Sequence, residues 1–406
     1  MRILWVKAGG LVPLDSGGRL RSYHILKELT RRHNVTLFTF YVAQPDDPHP
    51  ALKDLFFRVE CLPLKVATGR GLGEGLLYVR NLFSFRPHSI AKFCQPSIIQ
   101  RVRQLLEEQT YDVIVCDFVF AGGAIPWDFR CPKVLFTHNV ESAIWRRHYQ
   151  VARNPLWKAI CWREYGATTR AEKFYLRKAD HVLAVSDADR NFFAKIIKPE
   201  KITVIPTGVD LDFFRPAWGH ERPGALAFTG SMDWLPNQDA MFYFARQVFP
   251  LIRREIPSAR LTIVGRKPSG RLRALSGSEA GIAVTGGVAD VRPYVEEASV
   301  YVVPLRIGGG TRLKIFEAMA MGKAIVSTSV GAEGLPITHG ENILLADEPQ
   351  QFANSVVRLL RTPREIGRLG EAARKLVEQD YGWAAVAAQF EQALFKVAAA
   401  HSASLS

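Results

Sequence analysis

The sequence is poor in cysteine, and its few cysteines are not spaced like metal ligands. Five cysteines occur in 406 residues, no two form a Cys-x-x-Cys pair, and all lie scattered among apolar segments. This spacing disfavours a disulfide scaffold or a zinc site and predicts buried thiols in a reducing cytosol. The five are Cys61, Cys94, Cys116, Cys131 and Cys161.

Long apolar runs are also missing. No run reaches the roughly 18–20 apolar residues that a membrane-spanning helix requires. The first apolar run, Met1–Val6, is interrupted by Lys7 and followed by Gly9 and Gly10, which is typical of a strand rather than a signal peptide. Low-complexity tracts do not occur. We therefore expect a cytoplasmic protein, with a place at the inner face of the membrane left open.

Acidic residues are outnumbered by basic ones. The chain has 39 Asp and Glu against 53 Lys and Arg, a formal net charge of +14. An excess of this size predicts an anionic partner, which is a nucleic acid, an anionic membrane surface or a phosphorylated substrate. The length suits two domains of roughly 100–200 residues each.

Short β-branched strands alternate with helical stretches along the first half of the chain. This alternation predicts an α/β fold with a parallel, doubly wound sheet, which binds ligands beyond the carboxyl ends of its strands. The predicted strands are Arg2–Val6, Val35–Phe40, Val59–Leu62, Val113–Cys116, Val134–His138, His181–Ser186 and Ile202–Ile205.

A second series of the same kind follows a segment rich in proline and glycine, Arg215–Gly224. We therefore predict a first domain over 1–215, a linker over 216–224, a second domain over 225–383 and a last helix with a frayed tail over 384–406. The predicted strands of the second domain are Leu226–Phe228, Leu261–Val264, Ile282–Thr285, Val300–Val303, Ala324–Ser327 and Ile343–Leu345.

The most informative stretch is a run of three glycines, Gly308–Gly310, between a predicted strand and an amphipathic helix. Backbone amides in such a loop, together with the helix dipole, can hold an anion. The alternative is an ordinary glycine turn.

Charged residues at the start of that helix favour the anion site. Arg312 and Lys314 lie in the first turn, where the dipole disfavours cations unless an anion is bound nearby. Glu317 is the carboxylate within reach and can accept hydrogen bonds from two vicinal hydroxyls. The layout predicts a phosphate and a ribose, against the alternative of solvated charges on a plain helix.

The stretch GGGTRLKIFEAMAMGKAIVST, which begins at Gly308, resembles the signature of the retaining glycosyltransferases of family 4, which have the GT-B fold. In that family two glutamates lie eight positions apart. Glu317 matches the second glutamate, whereas Gly309 stands in place of the first, so the chain resembles a triple-glycine subgroup.

The resemblance implies an enzyme that moves a sugar from a nucleotide diphosphate sugar to an acceptor hydroxyl with retention, in cell-surface polysaccharide or glycolipid assembly. It implies two Rossmann-like domains facing a cleft and a last helix that returns to the first domain. Front-face attack is expected, with a phosphate oxygen taking the acceptor proton, because no carboxylate nucleophile is evident at His138.

Residues of both domains are expected to meet the donor. The resemblance implies that the glycine pair before Arg19 faces the donor; the alternative for this pair is a plain turn. It also implies that His138 lies near the sugar; the alternative for this residue is a structural histidine. The expected catalytic residues are His138, Arg312 and Lys314, and the expected donor-binding residues are Gly17, Gly18, Gly230, Asn237, Gly287, Val288, Gly308, Gly309, Gly310, Thr311 and Glu317.

Family members usually carry an arginine and a lysine in the loop that contains Gly230, and this chain has neither. The cationic role is therefore expected to fall on Arg312 and Lys314, with Arg266 and Lys267 in reserve. The backbone of the loop at Gly287 and Val288 is expected to read the nucleobase.

A DxD sequence, Asp187-Ala188-Asp189, raises the question of a metal ion. It opens a helix, where Ser186 and Asp187 are natural capping residues, and the resemblance implies a diphosphate held without metal. We expect no metal and no cofactor apart from the nucleotide sugar.

The segment Asn139–Lys178 is strongly basic and carries tryptophans and tyrosines among its arginines and lysines. This composition suits an anionic lipid surface or single-stranded nucleic acid, and a solvated helix pair with core aromatics is the third reading. The resemblance favours the membrane, because family members act on lipid-linked or saccharide acceptors. A sugar-nucleotide epimerase of the same fold and a basic nucleic-acid-binding protein remain as alternative functions.

Overall fold

The computed structural model describes residues 1–14, 16–43, 47–64, 78, 81, 86–152, 154–278, 281–307 and 313–405. The chain divides into two compact units. Unit 1 consists of Met1–Pro206 and Val386–Ser406, and unit 2 of Thr207–Ala385. The first strand of unit 2 begins at Arg222, inside the stretch that the sequence analysis assigns to the linker.

Unit 1 is built on a seven-stranded sheet in the order β3-β2-β1-β4-β5-β6-β7, and all neighbouring strands are parallel. Every strand overlaps a predicted one, because strands buried on both faces read as short apolar runs. The strands are β1 (Arg2–Ala8), β2 (Asn34–Val42), β3 (Arg58–Leu64), β4 (Val113–Asp117), β5 (Lys133–Phe136), β6 (His181–Ala184) and β7 (Ile202–Val204).

The strand order reverses between β1 and β4, where Lys7 pairs in register with Asp117. In open parallel sheets, ligands bind beyond the carboxyl ends of the strands at such a switch point. The helices that the structure describes in this part of the chain are α1 (Gly17–Leu29), α2 (His88–Ala91), α3 (Pro96–Glu108), α4 (Glu141–Val151), α5 (Pro155–Lys178) and α6 (Asp187–Phe193).

Unit 2 contains a six-stranded sheet in the order β10-β9-β8-β11-β12-β13, again parallel throughout. Its strands confirm the second predicted series. They are β8 (Arg222–Thr229), β9 (Arg260–Val264), β10 (Ile282–Gly286), β11 (Ala298–Val303), β12 (Ala324–Ser327) and β13 (Leu344–Leu345).

The first long helix of unit 2 is interrupted. A π-helical turn at Phe244–Val248 separates α7 from α8, whereas the sequence pattern predicts one helix over Asp239–Ile256. Pro250 explains the break, since proline has no N–H to donate to the preceding turn. The described helices of this unit are α7 (Leu235–Tyr243), α8 (Phe249–Glu255), α9 (Gly270–Arg273), α10 (Leu275–Ser278), α11 (Arg292–Glu296), α12 (Leu313–Ala320), α13 (Pro349–Arg361) and α14 (Pro363–Asp380).

The last helix, α15 (Trp383–Leu405), belongs to unit 1 from Val386 onward. Phe390 stacks on Trp5 with ring centroids 5.4 Å apart, and Glu391 pairs with His33 at 2.6 Å. The tail predicted from His401 onward is helical as far as Leu405, because a run of three alanines before His401 favours continuation of the helix.

The cysteine prediction holds in its main point. All five cysteines are free thiols, of which Cys116, Cys131 and Cys161 are buried and the other two partly exposed. Among the described residues, no helix is both long enough and apolar enough to cross a membrane.

Candidate active site

Three of the predicted donor-site residues meet beyond the carboxyl end of β8. Lys314, on α12, donates a hydrogen bond from Nζ to Asn237 Oδ1 at 2.9 Å. Its Nζ also lies 4.0 Å from the centroid of the Phe228 ring. Gly230 leaves room for this pair, since a methyl group there would stand 2.7 Å from Lys314 Nζ and 2.7 Å from Asn237 Nδ2. The arrangement fixes a cation at the ligand-binding edge of the sheet.

Glu317 follows Lys314 by one turn of α12 and is partly buried. Burial raises the pKa of Glu317 to about 7, and the nearby Lys314 ammonium only partly offsets this effect. Among the described residues, none donates a hydrogen bond to its carboxylate. Vicinal hydroxyl groups would supply the donors that the charged form of a desolvated carboxylate requires.

A second cation lies at the same edge. Arg266, after β9, donates a hydrogen bond from Nε to Ser231 Oγ at 2.7 Å, and Ser231 Oγ donates to Asp233 Oδ1 at 2.7 Å. A methyl group on Gly287 would stand 3.6 Å from Arg266 Cβ, which places the loop after β10 beside this arginine. The other reserve cation, Lys267, is 3.8 Å from Asp233.

The loops after β8 and β9 are in direct backbone contact. A methyl group on Gly265 would lie 1.7 Å from the carbonyl oxygen of Gly230, so only glycine fits there. Gly287 is exposed and Val288 partly exposed, so the backbone of the loop after β10 is open to a ligand. Gly308, Gly309, Gly310, Thr311 and Arg312 lie outside the described residues.

In unit 1, His138 lies just beyond β5 and is buried. Its Nε2 is 2.7 Å from Asp117 Oδ1, and burial lowers the pKa of His138 to about 4. Burial by itself would raise the pKa of Asp117, but the Lys7 ammonium and His138 hold it well below its usual range. The carboxylate therefore accepts, and the imidazole is neutral with its proton on Nε2.

Gly18 lies beside His138. A methyl group on Gly18 would lie 3.8 Å from the imidazole ring. The other ring nitrogen, Nδ1, is 3.4 Å from Arg21 Nη1. Both imidazole nitrogens thus face protein groups in unit 1, which leaves the backbone beside the histidine as the part open to a ligand.

Three charged residues that the sequence pattern did not indicate lie around His138: Asp117, Lys7 and Arg21. The sequence indicated no carboxylate nucleophile at His138. The structure places the Asp117 carboxylate against the imidazole, where it accepts hydrogen bonds from Lys7, Trp5 and His138. Two signals were available: a lysine inside an apolar strand requires a buried partner, and an aspartate ends a strand at the edge where ligands bind.

The DxD sequence serves as a helix start. Ser186 is the N-cap of α6, and its Oγ accepts a hydrogen bond from the backbone N–H of Asp189 at 3.1 Å. This confirms the capping interpretation. In the part of the chain that the structure describes, no group of three or more His, Cys, Asp or Glu residues is arranged to hold a metal ion.

In the basic segment Asn139–Lys178, the acidic side chains are buried and most of the basic side chains are exposed. Its acidic residues Glu141, Glu164 and Glu172 are buried, at 8%, 1% and 4% exposure. Trp157 and Trp162 are 45% and 64% exposed. The interpretation of all the aromatics as core residues is therefore wrong for these two. The exposed basic residues are Arg146, Arg147, Lys158, Arg170, Lys173, Arg177 and Lys178.

Two family models match the chain. Residues 16–213 match the model described as Glycosyltransferase Family 4, and residues 223–362 match the model described as Glycosyl transferases group 1. Together the matches cover most of the chain and fall on the two halves predicted from the sequence.

Two curated relatives match the chain over more than half of its length. An uncharacterized 44.6 kDa protein in the cps region of Klebsiella pneumoniae is 22% identical over 394 residues, which are 94% of this chain and 96% of that protein. The MMP alpha-(1->4)-mannosyltransferase of Mycolicibacterium hassiacum is 26% identical over 267 residues, or 62% of this chain and 64% of the relative.

Among solved structures, the complex of Anabaena HepE with UDP and glucose has a TM-score of 0.65 at 17% identity. The match covers 97% of this chain and 98% of that one, which shows the GT-B fold. Neither an epimerase nor a nucleic-acid-binding protein is favoured by these matches. The chain is a glycosyltransferase of the GT-B fold, made of a family 4 domain and a group 1 domain.

Proposed function

We propose that the protein transfers a sugar from a nucleotide diphosphate sugar to an acceptor hydroxyl with retention of anomeric configuration. The observation that carries this proposal is the contact of Lys314, Asn237 and Gly230 beyond β8, one helical turn from Glu317. It places a cation and a desolvated carboxylate at the edge of a parallel sheet where nucleotides bind.

Each group has a part in donor binding. Lys314 and Arg266 face the diphosphate, and the stabilisation of this leaving group is the largest contribution to catalysis. Glu317 accepts hydrogen bonds from the ribose hydroxyls, and the backbone at Gly287 and Val288 contacts the base. We assign Gly308, Gly309, Gly310, Thr311 and Arg312 to the same diphosphate on their sequence pattern alone.

For unit 1, we propose that the backbone at Gly17 and Gly18 meets the transferred sugar. His138 acts beside it as a neutral imidazole, not as an acid. UDP-sugars are the first donors to test, since the related HepE structure contains UDP and glucose.

The state of the carboxylate nearest to His138 argues against a covalent glycosyl-enzyme as the route to retention. Asp117 is 1% exposed, and Lys7, Trp5 and His138 all donate to it, so it is not available as a nucleophile. Front-face departure and attack, with a phosphate oxygen receiving the acceptor proton, requires no such carboxylate. The same diphosphate contacts supply the charge stabilisation without a metal ion.

We further propose that the acceptor is a lipid-linked or saccharide molecule of cell-surface polysaccharide or glycolipid assembly, met at the cytoplasmic face of the membrane. The exposed side of α5 supports peripheral contact, because it carries cations and tryptophans while Glu164 and Glu172 are buried.

A donor screen tests the proposed function. UDP-, GDP- and dTDP-sugars are compared for thermal stabilisation of the protein, and the stabilising donor is then incubated with and without acceptor mixtures. We expect one nucleotide class to raise the Tm and a glycoside of retained configuration to form. An epimerised donor in the absence of acceptor, or an inverted product, would refute the proposal.

A further inference from the structure

A closed series of contacts links Gly18 to the interior of unit 1. Ser22 Oγ donates to the carbonyl oxygen of Gly18 at 2.9 Å, and Lys7 Nζ donates to Ser22 Oγ at 2.9 Å. Lys7 Nζ also donates to Asp117 Oδ2 at 2.9 Å, and Asp117 holds His138. The His138 ring then packs under Gly18 and closes the series.

We call this closed series of contacts the circuit. Its interior members are buried. Lys7, Ser22 and Asp117 are exposed by 5%, 0% and 1%. A buried ion pair adds little net stability, because the loss of hydration offsets the attraction between the charges. Its location is informative, since Lys7 and Asp117 pair across the switch point between β1 and β4.

We propose that Lys7 and Asp117 are positioning residues that fix the backbone at Gly17 and Gly18 through Ser22 and His138. The inference rests on the proposed function, in which this backbone meets the transferred sugar. Lys7 acts on the Gly18 carbonyl through the Ser22 hydroxyl. Asp117 acts on the other side of Gly18 by holding the imidazole in one tautomer and orientation.

Burial is the main cause of the lowered pKa of His138, and neighbouring charged groups modify it. The charged groups that face the imidazole are Asp117 on β4, Lys7 on β1 and Arg21 on α1, and the two cations lower its pKa. Arg21 itself faces Asp189 on α6. Removal of Lys7 therefore raises the pKa of His138, whereas an ion pair with a purely structural role would leave catalysis without a new pH dependence.

Two variants break the circuit at different points. Lys7→Met removes the cation, and Ser22→Ala removes only the link between Lys7 and Gly18, so the ion pair and the fold are retained. The control is Lys323→Met in unit 2. Lys323 is 2% exposed, pairs with Glu221 at 3.0 Å, and donates to the carbonyl of Ala298 at the amino end of β11.

We expect kcat to fall about 10–100-fold in Lys7→Met and Ser22→Ala, the scale of a small misplacement of reacting groups. The Kd of UDP, measured by calorimetry, should stay within about twofold, because the proposed nucleotide contacts lie in unit 2. Lys323→Met should keep its kcat. The inference is overturned if both circuit variants lose no more kcat than this control.

Nitrogen-15 NMR of labelled histidine tests the circuit without any turnover. His138 should be the neutral Nε2–H tautomer from pH 5 to 8. Lys7→Met should raise the pKa of His138 toward or into this range. A titration of His138 above pH 6 in the unmodified protein refutes the circuit. An inactive protein with the expected His138 signal refutes the proposed function instead, and the two failures are thereby distinguished.

Discussion

Lys314 on α12 and Asn237 on α7 are joined by a hydrogen bond of 2.9 Å directly over Gly230. This contact holds the ammonium group against the loop after β8, although the chain lacks the arginine and lysine expected in that loop. A lysine far along the sequence thus provides the positive charge there.

Replacing this lysine should weaken binding of the diphosphate selectively. Lys314→Met is expected to cost about 1.5–3 kcal/mol in UDP binding, the scale of a charged hydrogen bond, and to leave uridine binding unchanged. Calorimetry with UDP and uridine measures both. The matched control is Lys323→Met, which replaces a buried lysine at the opposite end of the same sheet. Equal losses for UDP and uridine would show that Lys314 does not face the diphosphate.

Glu317→Ala should lower donor affinity by about 1.5–3 kcal/mol, because the ribose hydroxyls lose a charged acceptor. A 2′,3′-dideoxy analogue of the nucleotide should bind the unmodified protein and the variant equally well. Calorimetry with both ligands separates loss of the ribose contact from general damage to the site. Unchanged affinity for the ordinary nucleotide would remove Glu317 from the site.

The raised pKa of Glu317 also has a consequence for stability. Between about pH 4.5 and 7 the folded state binds more protons than the unfolded state, so this residue lowers stability as pH rises. Glu317→Gln should therefore raise the free energy of unfolding by on the order of 1–3 kcal/mol above pH 7 and have little effect below pH 4.5. Denaturant unfolding at pH 4.5 and 8 measures this. A gain of equal size at both pH values would contradict the assignment.

Transfer should continue in excess EDTA. Asp189→Asn should retain its kcat, since the backbone of this residue serves the N-cap of α6. Ser186→Ala is the informative control, because it should cost about 1 kcal/mol of stability without affecting turnover. Loss of activity in EDTA that manganese restores would identify Asp187 and Asp189 as metal ligands.

The protein should sediment with phosphatidylglycerol vesicles at low salt and be released as salt rises. Each cation near an anionic surface contributes about 1 kcal/mol, and salt screens this attraction. Replacement of the exposed cations of the second half of α5 by serine should abolish sedimentation; these are Arg170, Lys173, Arg177 and Lys178.

A variant with the same change of net charge in unit 2 controls for non-specific attraction. It replaces four exposed arginines by serine and should still sediment: Arg254, Arg260, Arg271 and Arg273. If both variants lose binding alike, or if the unmodified protein stays in the supernatant, α5 is only a solvated face.

The sheets could be predicted from the sequence because each buried parallel strand is a short run of β-branched residues. The break after Tyr243 and the helical continuation past His401 were harder, since both depend on one or two residues against a strong periodic pattern. Sequence thus located the elements well and their ends less well.

Part of the candidate site could also be predicted from the sequence. Lys314 and Glu317 lie one turn apart, so their proximity follows from helical spacing alone. The Asp117 contact with Lys7 and His138 depends on strand order, which no local pattern shows. The pairing of β4 with both β1 and β5 brings these three side chains together.

The return of the last helix to unit 1 has a consequence for synthesis on the ribosome. Trp5, whose indole N–H donates to Asp117, is covered by Phe390, so the first strand is packed by a segment that emerges only after unit 2. Trp5 of the nascent first unit therefore stays uncovered until Val386 and the residues after it have been translated. Folding from the amino terminus onward stays incomplete until then, and a chain stopped before α15 would offer that surface to chaperones.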